Sequence, residues 1–136
     1  TLFRSTYGVK DNISVLEADD DAAVILWGAK WRVPTTEEYK ELREKCTWKM
    51  YSNGNIKYDG VAGYEVTGAN GNSIFLPAAG FRYNAGVRSV STVGRYWCNS
   101  ISDSNPSNAN CFDFTSGGIS DKYRYYGFSI RAVCVE

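Results

Sequence analysis

Trp27-Gly-Ala-Lys-Trp-Arg-Val-Pro-Thr35 is the stretch on which the reading of this chain turns, because it closes one helical pattern and opens another. Upstream, Glu17 to Leu26 reads as a helix. Its acidic start (Glu17, Asp19, Asp20, Asp21) complements the positive end of a helix, and Gly28 stands where a C-terminal stop belongs. The acidic run also invites a calcium loop, but that pattern needs a central Gly and a distal Glu, and neither is in place. Downstream, Pro34-Thr35-Thr36-Glu37-Glu38 opens a second helix with a capping box, Thr35 bonding forward and Glu38 bonding back. Tyr39, Leu42 and Cys46 then recur at helical spacing and are expected to face the core, with the charged residues between them solvated.

From Trp48 onward the pattern turns to β. Gly60 to Thr67 alternates, Gly68-Ala-Asn-Gly-Asn72 is a hairpin-type turn, and Ser73 to Pro77 is the return strand. Ala78-Ala79-Gly80 marks a place where no large side chain fits. Val93 to Ile101 is expected to pair with Asn110 to Thr115 across the turn-rich Ser102-Asp-Ser-Asn-Pro-Ser-Asn108, and Gly127 to Val135 to form the last strand. Residues 1–14 show no clear pattern. Two helices followed by short antiparallel strands is an α+β arrangement.

At 136 residues, with 43% hydrophobic and 22% charged side chains, the chain is long and apolar enough for one folded domain spanning residues 1–136. Its formal net charge is zero and it has no basic run, so neither a nucleic acid nor an anionic membrane is expected as partner. No stretch approaches the roughly 20 apolar residues of a membrane span, so direct membrane insertion is not expected. The chain lacks histidine, which removes the usual general base, the Ser-His and Cys-His pairs and the commonest transition-metal ligand. No catalytic residue, metal ligand or cofactor is therefore assigned. Cys46, Cys98, Cys111 and Cys134 are scattered, as suits either two disulfides of an exported protein or four thiols of a cytosolic one. Ten tyrosines and four tryptophans suit a recognition surface, and equally a β-rich core.

Several segments come in an order that resembles a known family. These are Trp27-Gly…Trp31-Arg-x-Pro-Thr35, Cys46-Thr-Trp48, Gly60-Val…Gly63-Tyr…Val66-Thr-Gly68, Asn70-Gly-Asn-Ser-Ile-Phe-Leu-Pro-Ala-Ala-Gly80, Gly94-x-Tyr-Trp97 and Gly127-Phe-Ser-Ile-Arg131. Over roughly residues 18–134 the chain is similar to the Fibrobacter succinogenes major paralogous (FISUMP-type) domain, a branch of the formylglycine-generating-enzyme-like C-type lectin fold. The resemblance implies a C-type lectin-like fold, two helices packed on short antiparallel sheets, in an exported bacterial protein at the cell surface or outside the cell. It also implies an N-terminal strand pairing with the last one, and no such strand is visible in residues 1–17. If the chain is a fragment, Ile130 to Val135 is then expected to expose an unpaired edge unless residues 2–7 or another chain covers it. The chain starts at Thr1 without a Met, so the expectation is either that a leader has been removed or that this is a C-terminal fragment of something longer. Cys98 and Cys111 fall on adjacent expected strands and form a candidate bridge if the register agrees. The implied fold brings the second helix and last strand together, which makes Cys46–Cys134 another, and at least one bridge is expected.

The same scaffold serves variable proteins of diversity-generating retroelements, whose randomised positions face solvent. The tract Tyr83 to Tyr126 looks like such a region, although unvaried FISUMP-type domains are also rich in Ser and Asn there. The expected framework is Trp97, Ala109, Phe112, Phe114, Phe128 and Ile130. Alternation then puts Tyr96, Cys98, Asn110, Cys111 and Asp113 on a shared outer surface, to which neighbouring loops add Tyr83, Asn84, Tyr123, Tyr125 and Tyr126. Tyrosines with Asn and Asp between them stack on sugar rings or dock a protein, so the expected partner is a protein or glycan ligand. The bland alternative is polar strand faces with tyrosines half-buried on the core.

The expected function is non-catalytic, calcium-independent ligand binding, since Asn105-Pro106 and Trp97-Cys98-Asn99 are only shreds of the calcium-lectin motifs. The alternatives are a structural or pilus-tip adhesin module and an oxidase like the formylglycine-generating enzyme. The paired copper-binding cysteines of that enzyme are not reproduced in spacing here.

Overall fold

The structure, a computed structural model, describes residues 13–135. Helix α1 (Ala22–Trp27) is shorter than its pattern implied, because Asp21 rather than Glu17 caps it. Asp21 Oδ1 accepts the amides of Ala23 (2.8 Å) and Val24 (3.3 Å), while Oδ2 accepts the Val33 amide at 2.8 Å. This carboxylate is buried, and it ties the helix start to the segment after strand β1 (Trp31–Arg32). Helix α2 (Thr36–Lys45) carries the expected capping box, with Glu38 N donating to Thr35 Oγ1 at 3.1 Å and Thr35 N to Glu38 Oε2 at 2.9 Å. Glu38 also receives Arg32 bidentately, at 2.6 and 2.8 Å, locking β1 to the helix it precedes.

Strands β2 (Thr47–Tyr51), β3 (Gly63–Thr67) and β4 (Ser73–Pro77) form an antiparallel sheet, with the β3–β4 turn at the predicted Asn70-Gly71. A hairpin follows, β5 (Phe81–Tyr83) and β6 (Gly86–Arg88). A second antiparallel sheet holds β7 (Arg95–Ile101), β8 (Asn108–Asp113) and β9 (Gly118–Tyr123), and β10 (Val133–Cys134) returns to pair with β1. The described residues are thus α+β, two helices with several short antiparallel sheets.

The core lies between α2 and the two three-stranded sheets. Tyr39 stacks on Phe112 with ring centroids 5.1 Å apart, Trp48 leans on Phe112 at 5.5 Å, and Tyr64 meets Phe114 edge-on at 5.0 Å. Leu42 and Cys46 pack against this cluster, as their helical spacing predicted. Gly94 is obligatory here, since a Cβ would stand inside the Phe114 ring. Gly80 combines a φ of 72° with a backbone approach to Arg88 O that leaves no room for a side chain.

Three expectations need correction. The final segment is not one strand: Gly127 bridges Arg82, Ser129 bridges Tyr96, and only Val133–Cys134 form a ladder, with β1. Three different partners in nine residues break the ladder that alternation suggested. At the other end, Val15 bridges Ser100 antiparallel, with Leu16 N donating to Asn99 O at 2.7 Å, so part of the stretch that showed no strand does line β7. Residues 2–7, the expected cover for the terminal edge, lie outside the described residues. Finally, all four cysteines are free thiols. Cys111 pairs with Trp97, one position from Cys98, which puts the two sulfurs on opposite faces of the sheet.

Candidate ligand-binding surface

The ten candidate residues divide into two groups. Tyr96, Cys98, Cys111 and Asp113, expected outside, are buried. Alternation misassigned them because the β7–β8–β9 sheet is covered on both faces. Tyr96 pairs with Phe112 and points with it toward Tyr39, its hydroxyl donating to Pro77 O at 2.7 Å. The opposite face, carrying Trp97, Cys111 and Asp113, is roofed by Phe128, whose ring stacks on Trp97 at 4.2 Å. A period of two separates faces but does not say which face is wet. Of the expected framework, Ala109, Phe112 and Phe114 are buried, whereas Trp97, Phe128 and Ile130 are only half-buried.

Burial sets the chemistry of this group. Desolvation pushes the Cys98 and Cys111 thiols up to about 12, so both are protonated and poor nucleophiles near neutrality. Burial also raises Tyr96 and Tyr39 far above the ordinary phenol range. Asp113 is pushed up by burial, but the bond from Arg95 Nε at 2.7 Å and the Thr115 amide at 2.9 Å outweigh this and hold it below the ordinary carboxylate range. Asn110 is half-buried, and its Nδ2 donates to Ser100 Oγ (3.0 Å) and Ile101 O (2.8 Å). It lines a cleft with Val15, Thr36 and Glu37, away from the tyrosines.

The other five come together. Asn84, at the tip of the β5–β6 hairpin with a φ of 52°, is exposed, a backbone setting that Asn tolerates well. Tyr83, just before it, meets Tyr126 edge-on at 5.3 Å and Tyr125 at 6.2 Å. Tyr123 and Tyr125 lie nearly parallel at 5.2 Å, and Tyr125 meets Tyr126 edge-on at 4.9 Å. Tyr126 continues inward to Phe81 (5.8 Å) and Phe128 (5.9 Å). The result is a graded aromatic array, from half-buried Trp97 and Phe128 to Tyr123 and Tyr125, 47% and 65% exposed. It holds its shape through backbone pairing: Arg82 N donates to Gly127 O at 2.7 Å and Gly127 N to Arg82 O at 2.9 Å, fastening the hairpin to the final segment.

Three members were missed in the sequence. Phe81, Arg88 and Arg95 all face the array, with the Arg95 guanidinium 4.9 Å from the Phe81 ring centre and Arg88 5.5 Å from that of Tyr83. The alternating Phe81-Arg-Tyr83 before Asn84-Ala-Gly86 was the signal of a hairpin that would have found Phe81 and Arg88.

A second feature lies elsewhere. Trp27, Trp31, Ile130, Arg131 and Ala132 line an open cleft of about 470 Å³, and Trp27 is 56% exposed. Ile25 and Leu26 of α1 are also exposed. Among the described residues no group of three or more Cys, Asp or Glu side chains converges as a metal site would, and no helix is long and apolar enough to cross a membrane. Comparison of the chain with protein-family models, with curated proteins and with solved structures returns no match.

Proposed function

We propose that this chain is a non-catalytic, calcium-independent recognition domain of C-type lectin-like type from an exported bacterial surface protein, binding a protein or glycan through the tyrosine array. The observation that carries the reading is the convergence of Tyr83, Tyr123, Tyr125 and Tyr126, from two separate segments, onto one exposed patch. Rigid phenol rings lose little entropy on binding and offer both an apolar face and a hydroxyl, which suits a recognition surface. An oxidase reading is less well supported, because the buried thiols of Cys98 and Cys111 face opposite sides of a sheet and are held protonated. Because Tyr96, Cys98, Cys111 and Asp113 are structural, any diversified surface on this scaffold is limited to Tyr83, Asn84, Tyr123, Tyr125, Tyr126 and, in part, Asn110.

The adhesin or assembly reading keeps one specific support, the exposed apolar side chains Ile25, Leu26 and Trp27 beside the Trp31 cleft. Screening the full chain against glycan and bacterial surface-protein panels tests the main reading. A ligand bound by wild type and lost in a Tyr123→Ala/Tyr125→Ala double variant of unchanged melting temperature is the expected result. Binding that survives this change but is lost in Trp27→Ser shifts recognition to the α1 side.

A further inference from the structure

Charge is unevenly spread along this neutral chain. Between Phe81 and Arg131 there are six cations, Arg82, Arg88, Arg95, Lys122, Arg124 and Arg131, against three carboxylates, an excess of three positive charges on the segment that builds the tyrosine array. None of the three carboxylates is offered to a ligand there. Asp113 is held by Arg95 at 2.7 Å, Asp121 accepts from Asn108 Nδ2 at 3.0 Å, and Asp103 lines the cleft that holds Asn110.

Arg88 is the cation best placed to act. It pairs with Phe81 across the hairpin, so it projects from the same face as Phe81 and Tyr83, while Gly86 opposite Tyr83 adds no side chain beside that ring. Its guanidinium sits 5.5 Å from the Tyr83 ring centre, and among the described residues it has no ion-pair partner. A guanidinium resting its face on a ring keeps its N–H edge free for two oxygens of a single oxyanion. Arg124, between Tyr123 and Tyr125 in sequence, turns instead to Pro106 O at 3.4 Å and lines the cleft with Leu16 and Trp97, so the charge at the tyrosines rests on Arg88.

The shape of the patch narrows the ligand. Small molecules are held in concave sites, but neither the Trp27–Trp31 cleft nor the one lined by Leu16 and Trp97 reaches these tyrosines. An uncovered row of rings instead suits a chain that lies along it, making the same kind of contact several times.

Resting on the recognition reading above, we propose that the ligand is an anionic polysaccharide, a chain of pyranose rings carrying carboxylate or sulfate groups. The apolar ring faces of the sugar stack on Tyr83, Tyr123 and Tyr125, and Arg88 takes an acidic group through two parallel hydrogen bonds. Single-stranded nucleic acid also combines rings with charge, but it calls for a continuous cationic groove along its backbone, whereas here Arg88 stands alone over a tyrosine of the patch and Arg95 is paired with Asp113.

The test is affinity electrophoresis of the full chain through gels holding polygalacturonate, chondroitin sulfate, a neutral β-glucan or oligo-thymidylate. Retention by one of the two acidic polysaccharides and not by the β-glucan is expected; which of them retains the protein separates carboxylate from sulfate recognition. Arg88→Gln is expected to weaken this retention roughly tenfold at low salt and less at high salt, where Debye screening shortens the reach of its charge. Tyr125→Ala is expected to weaken it at both. Equal retention by the β-glucan, unaffected by Arg88→Gln, overturns the anionic assignment while leaving the array as a sugar-binding surface. Retention by every polyanion including oligo-thymidylate, indifferent to Tyr125→Ala, overturns it in favour of bulk charge. No retention in any gel overturns it as well. In that case a protein ligand lost in Tyr123→Ala/Tyr125→Ala keeps the recognition reading alive, and the absence of any such ligand ends both.

Discussion

Two aromatic clusters of similar composition meet opposite fates in this molecule. Beneath α2, Tyr39, Trp48, Tyr64, Phe112 and Phe114 pack into the core, and Phe112 is 1% exposed. On the far side of the same sheet, Phe81, Tyr83, Tyr123, Tyr125, Tyr126 and Phe128 make more ring contacts with one another than the buried set does, yet end at a side chain 65% exposed. What separates them is cover. A helix and the β2–β3–β4 sheet close over the first cluster, whereas a two-residue turn and the irregular final segment leave the second open. Ring contacts alone therefore do not mark a core. The same stacking that stabilises one region presents a surface in the other.

If that contrast is right, the largest effect belongs to the closed cluster. Phe112→Ala removes the ring shared by Tyr39 and Trp48 and is expected to cost about 3–5 kcal/mol, seen as a lowered denaturant midpoint at unchanged slope. A loss below about 1 kcal/mol would show that the cluster is as loosely covered as the array.

The ion pair between the clusters comes next. Asp113 has a folded-state pKa below its unfolded value, so it contributes stability that is present above about pH 4 and lost as the pH falls through the lower folded value. Asp113→Asn is expected to cost roughly 3 kcal/mol at neutral pH, because it leaves the Arg95 charge without its partner. Wild type and variant should converge in acid. Urea titrations at neutral pH and below pH 3 read this directly, and a constant difference between them would mean that Arg95 is stabilised by the rings it faces rather than by Asp113.

The smallest effect should come from the open end. Tyr125→Ala, made at the most exposed ring, is expected to change stability by no more than about 0.5 kcal/mol in the same urea titration. A cost of about 2 kcal/mol or more would make Tyr125 part of the scaffold and deny the array its character as a display surface.

Much of the local structure was legible in residue order. The capping box of Thr35 and Glu38, the Tyr39–Leu42–Cys46 face and the Asn70-Gly71 hairpin are each written in residues a few positions apart, and each is present. The gathering of Tyr83 with Tyr123, Tyr125 and Tyr126 was legible as a surface but not as a contact. The wetness of Tyr96, Cys98, Cys111 and Asp113 was misjudged, because their alternation is the same whether a strand is covered on one face or both.

Short-range chemistry, namely turns, caps, helical spacing and the α+β order of elements, is determined by the sequence itself, since those energies depend on neighbours along the chain. Burial was decided only by tertiary structure. Phe128 must cross from the final segment to roof Trp97, and Arg82 must pair with Gly127, before one face of β7 is dry and the tyrosines beyond it stand together. Those contacts join residues separated by more than 30 positions, and no local pattern encodes which of them will form.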